Sequence, residues 1–419
     1  MTLLNIFVHV RNFASIIQAA CIELIFRLRF LYSLARPIPP QWTSFHKGRA
    51  SVFFKDKVKF SEDVVLDHER GFAIISADAG RAQWNTVMGP LINPDPRGQL
   101  YLYDYATTGS LRPVELVNYP RKADFHPLGV NIFRGASNDR TRLFVVNHGR
   151  SVSTVEIMDI DYTEARATHI LTVADGDINI RTPNAVAPIS YTQFYVTNDH
   201  YYPLKSSPLM SHLETWLSLR KGWVTLVDLS NPEIIDCKVV AKGIAFANGI
   251  TLTPTGKQLL VASTSTNCVH IYDRDPTNNA LSGNCEMVRV SFPPDNLRFD
   301  FSLSVDDPTA FDQDGRFLRG ATASGCPNPL KLVGMSKNPA AVKAPSMIVE
   351  LCKGSSSNTA SHVATLSGPE TKYCARARYL SSGQHFPCAT TGAVDLSRGR
   401  LIGCGLYAEG ILDISFEAE

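Results

Sequence analysis

From about residue 50 onward, short apolar runs alternate along the chain with clusters of Gly, Asn, Asp and Pro. Runs of this length, bounded by turn formers, predict β-strands joined by tight connections. The runs at 72–76, 143–146, 194–197, 259–263 and 401–406 each follow a polar turn such as Asp-Arg-Thr-Arg, Thr-Gly-Lys or Ser-Arg-Gly-Arg. Their recurrence at roughly 50 to 70 residues, with several short strands per repeat, predicts a radial β-propeller, because each blade buries its faces only against its neighbours. The fold class is therefore all-β, with residues 41–419 forming one propeller domain.

Two segments break the strand pattern. Within 207–219, Leu209, Met210, Leu213, Trp216 and Leu217 recur at helical spacing, which predicts a helix with one apolar face that packs on the propeller or acts as a lid or membrane-contact element. Residues 1–40 are rich in Ile, Leu, Phe and Ala but carry Arg11, Glu23, Arg27 and Arg29. A spanning helix needs about 20 consecutive apolar residues, so this segment reads as an amphipathic helix or uncleaved signal anchor, followed by a stiff Pro-rich linker ending at Pro40. It makes a membrane surface a candidate partner, and favours membrane association or the secretory pathway over free cytosol.

Composition narrows the function classes. Hydrophobic residues make up 44% of the chain and charged ones 19%, which suits a large globular core rather than disorder. A net charge of +2, without basic clusters, gives no footprint for nucleic acid. The 9 cysteines include no C-x-x-C pair, which argues against a zinc ribbon or a dithiol redox motif.

Candidate chemistry lies in oxygen donors at loop-to-strand junctions: Ser61-Glu62-Asp63, Pro183-Asn184, Phe246-Ala247-Asn248-Gly249 and Pro294-Asp295-Asn296. Carboxylates and amides on separate blades converge only at the axis of a closed ring, and they suit hard, oxygen-seeking Ca²⁺.

In the same order stand Phe-His-Pro-Leu-Gly-Val at 125–130, Leu-Phe-Val-Val-Asn-His at 143–148, Ser-Thr-Val-Glu at 153–156 and Phe-Tyr-Val-Thr-Asn-Asp-His-Tyr at 194–201. With Ser-Glu-Asp at 61–63 and Phe-Ala-Asn-Gly-Ile at 246–250, this ordered set resembles the paraoxonase/arylesterase family of calcium-dependent lactonases, as a diverged member of fungal type. The resemblance covers roughly residues 55 to 415, and implies a six-bladed propeller with catalytic Ca²⁺ on Glu62, Asn184, Asn248, Asp295 and Asn296. It implies a second calcium on Asp63, the Val130 carbonyl and an acid after Asn184. Ala185 stands in the acid's place, which puts that second ion in doubt. It also implies a histidine pair that activates water. His148 matches one member and Leu128 replaces the other, leaving His126, two residues away on an extended chain, as the candidate substitute. Asn147 is expected to support His148, and Asp199 and His200 to form pocket wall or to orient a ligand loop.

Three readings of function follow from these residues. The first is a hydrolase of small hydrophobic lactones or aryl esters, with calcium polarising the carbonyl and His148 assisting water. The alternatives are a calcium propeller recruited into natural-product biosynthesis, where it dehydrates and cyclises a phenolic substrate in hetero-Diels–Alder fashion, or a non-catalytic binding platform.

Overall fold

The computed structural model describes residues 48–120, 122–135, 140–174, 179–231, 233–354 and 373–418, the backbone of Ser44–His46, and Leu24, Leu28, Leu31 and Tyr32. Those last four positions are helical; the rest of the expected N-terminal helix lies outside the described residues. Among the described residues no helix is long and apolar enough to cross a membrane.

Six sheets form a six-bladed β-propeller. Two N-terminal strands, β1 (Ser44–His46) and β2 (Arg49–Phe53), precede blade one: β3 (Ser61–Asp67), β4 (Phe72–Ala77), β5 (Gln99–Asp104) and β6 (Leu111–Pro113). Next, β7 (Glu115–Val117) lies parallel on the outer edge of blade two, which is β8 (Pro127–Arg134), β9 (Thr141–His148), β10 (Ser153–Asp161) and β11 (Arg166–Val173). Blade three is β12 (Pro183–Pro188), β13 (Gln193–Asn198), β14 (Gly222–Asp228) and β15 (Asp236–Ile244); blade four is β16 (Ala247–Leu252), β17 (Gln258–Ser263), β18 (Cys268–Arg274) and β19 (Leu281–Arg289). Blade five is β20 (Leu297–Phe299), β21 (Ala321–Gly325), β22 (Ser346–Lys353) and β23 (Tyr373–Ser381), with β1 on its edge. Blade six is β24 (Ala389–Asp395), β25 (Arg400–Gly405) and β26 (Ile411–Ser415), completed by β2, whose Val52 pairs with Leu412. Because β2 comes from the N-terminal side of blade one and pairs with β26, the last blade is tied covalently to the first and the ring is closed.

The five recurring runs prove to be the second strands of blades one, two, three, four and six. They read as nearly continuous apolar stretches because both faces of these strands are covered by adjacent blades; β9 and β17 are buried along their whole length. Each blade interface has its own apolar core. Ile74, Leu102 and Leu143 join blades one and two; Phe144, Ile157 and Val196 join two and three; Val224, Ile250 and Val261 join three and four. Leu260, Phe292 and Met347 join four and five, Ile348, Leu401 and Leu412 join five and six, and Val64, Ile75 and Ile402 close the circle. At about 1.5–3 kcal/mol per fully buried large apolar side chain, these wedges supply most of the driving force for the ring.

Two helices cover one end. The first, α1 (Pro208–Trp216), sits between β13 and β14, where helical spacing predicted it. Its orientation differs from an apolar-face-down packing: Ser211 and Glu214 are buried, whereas Leu209 is 71% and Leu217 47% exposed. Glu214 turns inward because its carboxylate accepts the Tyr201 and Tyr202 backbone N–H groups. The second helix, α2 (Pro329–Lys337), follows β21 and was not anticipated. Asn328 caps it by accepting the Lys331 N–H, with Pro329 at the first helical position.

Candidate metal centre and cavity

All six innermost strands, β3, β8, β12, β16, β20 and β24, begin at the same end of the ring axis, and the expected oxygen donors lie at their first residues or just before them. Register shifts interrupt pairing at Ser61/Asp63, Pro127/Val130, Pro183/Val186, Ala247/Ile250 and Ala389/Thr391. An extra residue in one strand re-aims a side chain, and the residues inside these irregular stretches include Glu62, Leu128, Asn184, Asn248 and Thr390. Entry is also repeated: Phe60, Phe246 and Cys388, two residues before Glu62, Asn248 and Thr390, have φ of 57°, 56° and 43°. A left-handed non-glycine residue costs on the order of 1–3 kcal/mol, and such strain clusters where geometry is functional.

Glycines allow the strand starts to crowd together. A Cβ on Gly249 would lie 2.5 Å from Asn296 Cα and from the Leu297 nitrogen, so only glycine lets Asn248 stand beside Asp295. The Gly249 N–H donates to the Asp295 carbonyl across this contact at 3.0 Å. Similarly, a Cβ on Gly129 would lie 2.4 Å from the Asn184 carbonyl oxygen.

The structure brings the five expected ligands together. Glu62, Asn184, Asn248 and Asp295 line the floor of one cavity of about 830 Å³, and Asn296 donates to Glu62 Oε1 at 2.7 Å. Each asparagine amide is committed to a carboxylate: Asn296 to Glu62, Asn184 to Asp199 Oδ2 at 3.1 Å, and Asn248 to Asp295. Their oxygens are left over. Glu62 Oε2, Asn184 Oδ1, Asn248 Oδ1 and Asn296 Oδ1 are all buried without a hydrogen-bond partner. One such orphan costs roughly 1–3 kcal/mol, and a bound cation is one partner that would satisfy them. Electrostatics agree. Burial, reinforced by Asp63 and Asp295, pushes the Glu62 carboxyl well above the usual carboxylate range. Burial, with Asp63 and Asp199 nearby, pushes Asp295 up to about 7, against the Asn248 hydrogen bond and the Arg81 charge. Among the described residues no three His, Cys, Asp or Glu side chains cluster as metal donors; this donor set, two carboxylates and three amides, fits calcium and not zinc.

Asp199 and His200 stand behind Asn184, as expected of a ligand-orienting pair. His200 Nδ1 meets Asp199 Oδ1 at 2.9 Å, and its Nε2 meets Thr215 Oγ1 of α1 at 2.7 Å. Burial alone would lower the His200 pKa; the Asp199 charge and hydrogen bond outweigh it and hold the pKa raised.

The two histidines expected to handle water lie elsewhere. His148 is buried with both ring nitrogens engaged, Nε2 by the Pro183 carbonyl at 2.7 Å and Nδ1 by Thr86 Oγ1 at 2.5 Å. Burial pushes its pKa down to about 4. His126 is equally committed, to Asp78 Oδ2 at 2.9 Å and the Pro94 carbonyl at 3.0 Å. Neither is among the residues lining the cavity; Leu128 is. Asn147 ties the two segments together by accepting the His126 N–H at 2.8 Å. The histidine that does line the cavity is His212, exposed on α1. Sequence reading passed over it because it sits on the polar side of an apolar periodicity.

Asp63 and Val130, expected around a second ion, are already occupied. Arg298 contacts Asp63 Oδ2 through Nη2, and the same nitrogen donates to the Val130 carbonyl at 2.7 Å. Its Nε donates to the Val64 carbonyl at 2.6 Å. A second metal ion does not fit these residues.

The cavity walls are mostly apolar. Val87, Met88 and Leu91 come from the β4–β5 connection, Trp216 from α1, and Leu332 and Val333 from α2.

A six-bladed propeller with an axial oxygen cage under an apolar cavity defines the class, and sequence comparison supplies the family. The Arylesterase family model matches residues 85–306, so the chain belongs to the arylesterase family. It is 33% identical over 178 residues to serum paraoxonase/arylesterase 2 of Canis lupus familiaris, covering 42% of this chain and 47% of that one. It is 30% identical over 246 residues to serum paraoxonase/lactonase 3 of Homo sapiens, covering 58% and 61%. The chain thus spans about half the length of the curated relatives it matches. Among solved structures, a gluconolactonase of Xanthomonas campestris superposes with a TM-score of 0.46 at 12% identity, covering 88% of this chain and 90% of that one.

Proposed function

We propose that the protein is a calcium-dependent hydrolase of hydrophobic lactones or aryl esters. The observation that carries this is the set of partnerless buried oxygens of Glu62, Asn184 and Asn248 on the lining of an apolar cavity, with that of Asn296 beside Glu62, and the names of the paraoxonase/arylesterase and paraoxonase/lactonase relatives support the substrate class. A divalent cation bound there supplies a Lewis-acid pole for the carbonyl oxygen of the ester. Glu62 and Asp295 balance its charge, and the three amides complete the cage without neutralising it further. Asp199, held by His200, which Thr215 holds in turn, fixes the Asn184 amide nitrogen and leaves its oxygen free. The apolar walls receive the acyl or aryl portion and exclude bulk water.

Proton handling falls by position to His212, the imidazole on the cavity wall. His148 contributes through Thr86, whose hydroxyl it holds between the cavity-lining residues Asn85 and Val87. The same helix, α1, also exposes Leu209, Met210 and Leu213, an apolar surface that suits a membrane or another hydrophobic contact.

The test is turnover of a panel of lactones and phenyl acetate by the calcium-loaded protein, with and without a chelator. Asn248→Ala is expected to lower kcat/KM by about 10²–10³-fold, the scale for losing a group that organises oxyanion stabilisation. Calcium-dependent binding of phenolic ligands, with no ester or lactone turned over, would refute hydrolysis and favour the cyclisation chemistry.

A further inference from the structure

Beside the five-residue cage lies a second concentration of buried polar groups, centred on Asp63. Its carboxylate accepts the Val64 N–H on Oδ1 at 2.9 Å, the Val130 N–H on Oδ2 at 2.8 Å and the Thr391 hydroxyl on Oδ1 at 2.9 Å. Its remaining need is for positive charge, and Arg298 supplies it. The guanidinium is buried, and besides Asp63 it donates to three carbonyls: Val64 in blade one, Val130 in blade two, and Leu297 in its own blade five. Four of its five N–H donors are accounted for in this way. Thr391 adds blade six, so one cation at the axis gathers strands from four blades.

We propose that Arg298 is a built-in cation that permanently fills a second metal position on the axis, so that the chain takes one divalent ion rather than two. Three observations converge on this. The acceptors around the guanidinium are those of a hard-cation site: one carboxylate and carbonyls from separate strands. The charges close, since a single carboxylate is matched by a single guanidinium, and a divalent ion added there would leave excess buried positive charge. Position 185, whose Cα lies against Gly129 and hence beside Val130, carries alanine, so no second carboxylate exists to hold a divalent ion. Arg298 is placed for this task by β-strand geometry: it stands two residues beyond Asn296, on the same side of the strand. Asn296 serves the cage and Arg298 replaces its neighbour. The consequence is a division of labour along the axis. Ion binding at the cage answers to chelators and pH, whereas the Arg298 cluster holds four blades together in their presence.

The inference uses the proposed cage only for the count of the other ion, and the experiment separates the two. Calcium per chain is measured by elemental analysis after equilibrium dialysis at millimolar calcium. The proteins are wild type, Asn248→Ala, and the double variant Ala185→Asp with Arg298→Ser, which exchanges the guanidinium for a second carboxylate. Expected are one ion in the wild type, none retained tightly in Asn248→Ala, and a gain of one ion in the double variant, whose melting temperature then rises with calcium. Two ions in the wild type, or one tightly held ion in Asn248→Ala, would overturn the assignment of Arg298 without help from the double variant, should that protein fail to fold. A folded double variant that gains no ion would overturn it as well. Failure of the cage looks different: no ion in the wild type, with one gained in the double variant.

Discussion

In the proposed cage the two carboxylates should make calcium affinity a function of pH, and the size of the effect follows from their burial. Without a cation, Asp295 titrates at about 7, against an ordinary value of 3.8. Its folded-state pKa is raised, so the metal-free folded protein binds more protons than the unfolded chain between these two values, and stability falls as pH climbs through them. Three units correspond to roughly 4 kcal/mol lost by pH 8 in the metal-free protein. A divalent cation restores that loss by displacing the proton. At pH 8 Asp295 is nearly all ionised, whereas at pH 6 about one molecule in ten is, so the calcium dissociation constant should weaken about tenfold between these values from Asp295 alone. Glu62, also raised by its burial, acts in the same direction. Calorimetry in two buffers of different ionisation enthalpy reads both quantities. The expected result is release of about one proton per calcium from Asp295 at pH 6 and far less from it at pH 8, with affinity rising alongside pH. A dissociation constant flat within about twofold from pH 6 to 8, with no proton release, would refute the view that these buried carboxylates bind the ion.

Three further outcomes are expected. Gly249→Ala places a methyl group against the Asn296 and Leu297 backbone, which parts Asn248 from Asp295; calcium affinity measured by competition with a chelator should fall by at least about tenfold, with little change in circular dichroism. His148→Gln should lower the melting temperature, yet leave the pH midpoints of turnover between 5 and 8 unmoved, because His148 is neutral throughout that range; a lost or shifted limb would instead make it the titrating base. Glu350→Ala leaves the buried Arg378 guanidinium without its carboxylate and should cost on the order of 3–5 kcal/mol in urea unfolding.

Much of this architecture is written locally in the chain. The strand runs are legible because a blade sandwiched between neighbours buries both strand faces, which turns them into continuous apolar stretches. Blade five escaped this pattern: its second strand, β21, reads Ala-Thr-Ala-Ser-Gly and carries no large apolar residue. The residues of the proposed cage could be picked out because each lies in a short motif with an acidic or Asn residue at a strand start. Their aim could not, since it depends on bulges and left-handed entry residues that leave no local signature apart from Gly249. Arg298 was missed for a related reason. A charged residue inside a short strand looks like an edge position, and only the partner carbonyls of other blades reveal that it points to the axis. A signal did exist in its spacing from Asn296. For the histidines, ordered motifs located His148 and His126 but said nothing of the Thr86, Pro183, Asp78 and Pro94 groups that saturate their ring nitrogens.

The most direct test of the cage is a crystal structure of the calcium-loaded protein with anomalous data. The expected result is one strong peak lying about 2.3–2.6 Å from Glu62 Oε2, Asn184 Oδ1, Asn248 Oδ1 and Asn296 Oδ1, with Asp295 alongside. Ordered water at that place, with those oxygens hydrogen-bonded to it and no anomalous signal at millimolar calcium, would contradict the account.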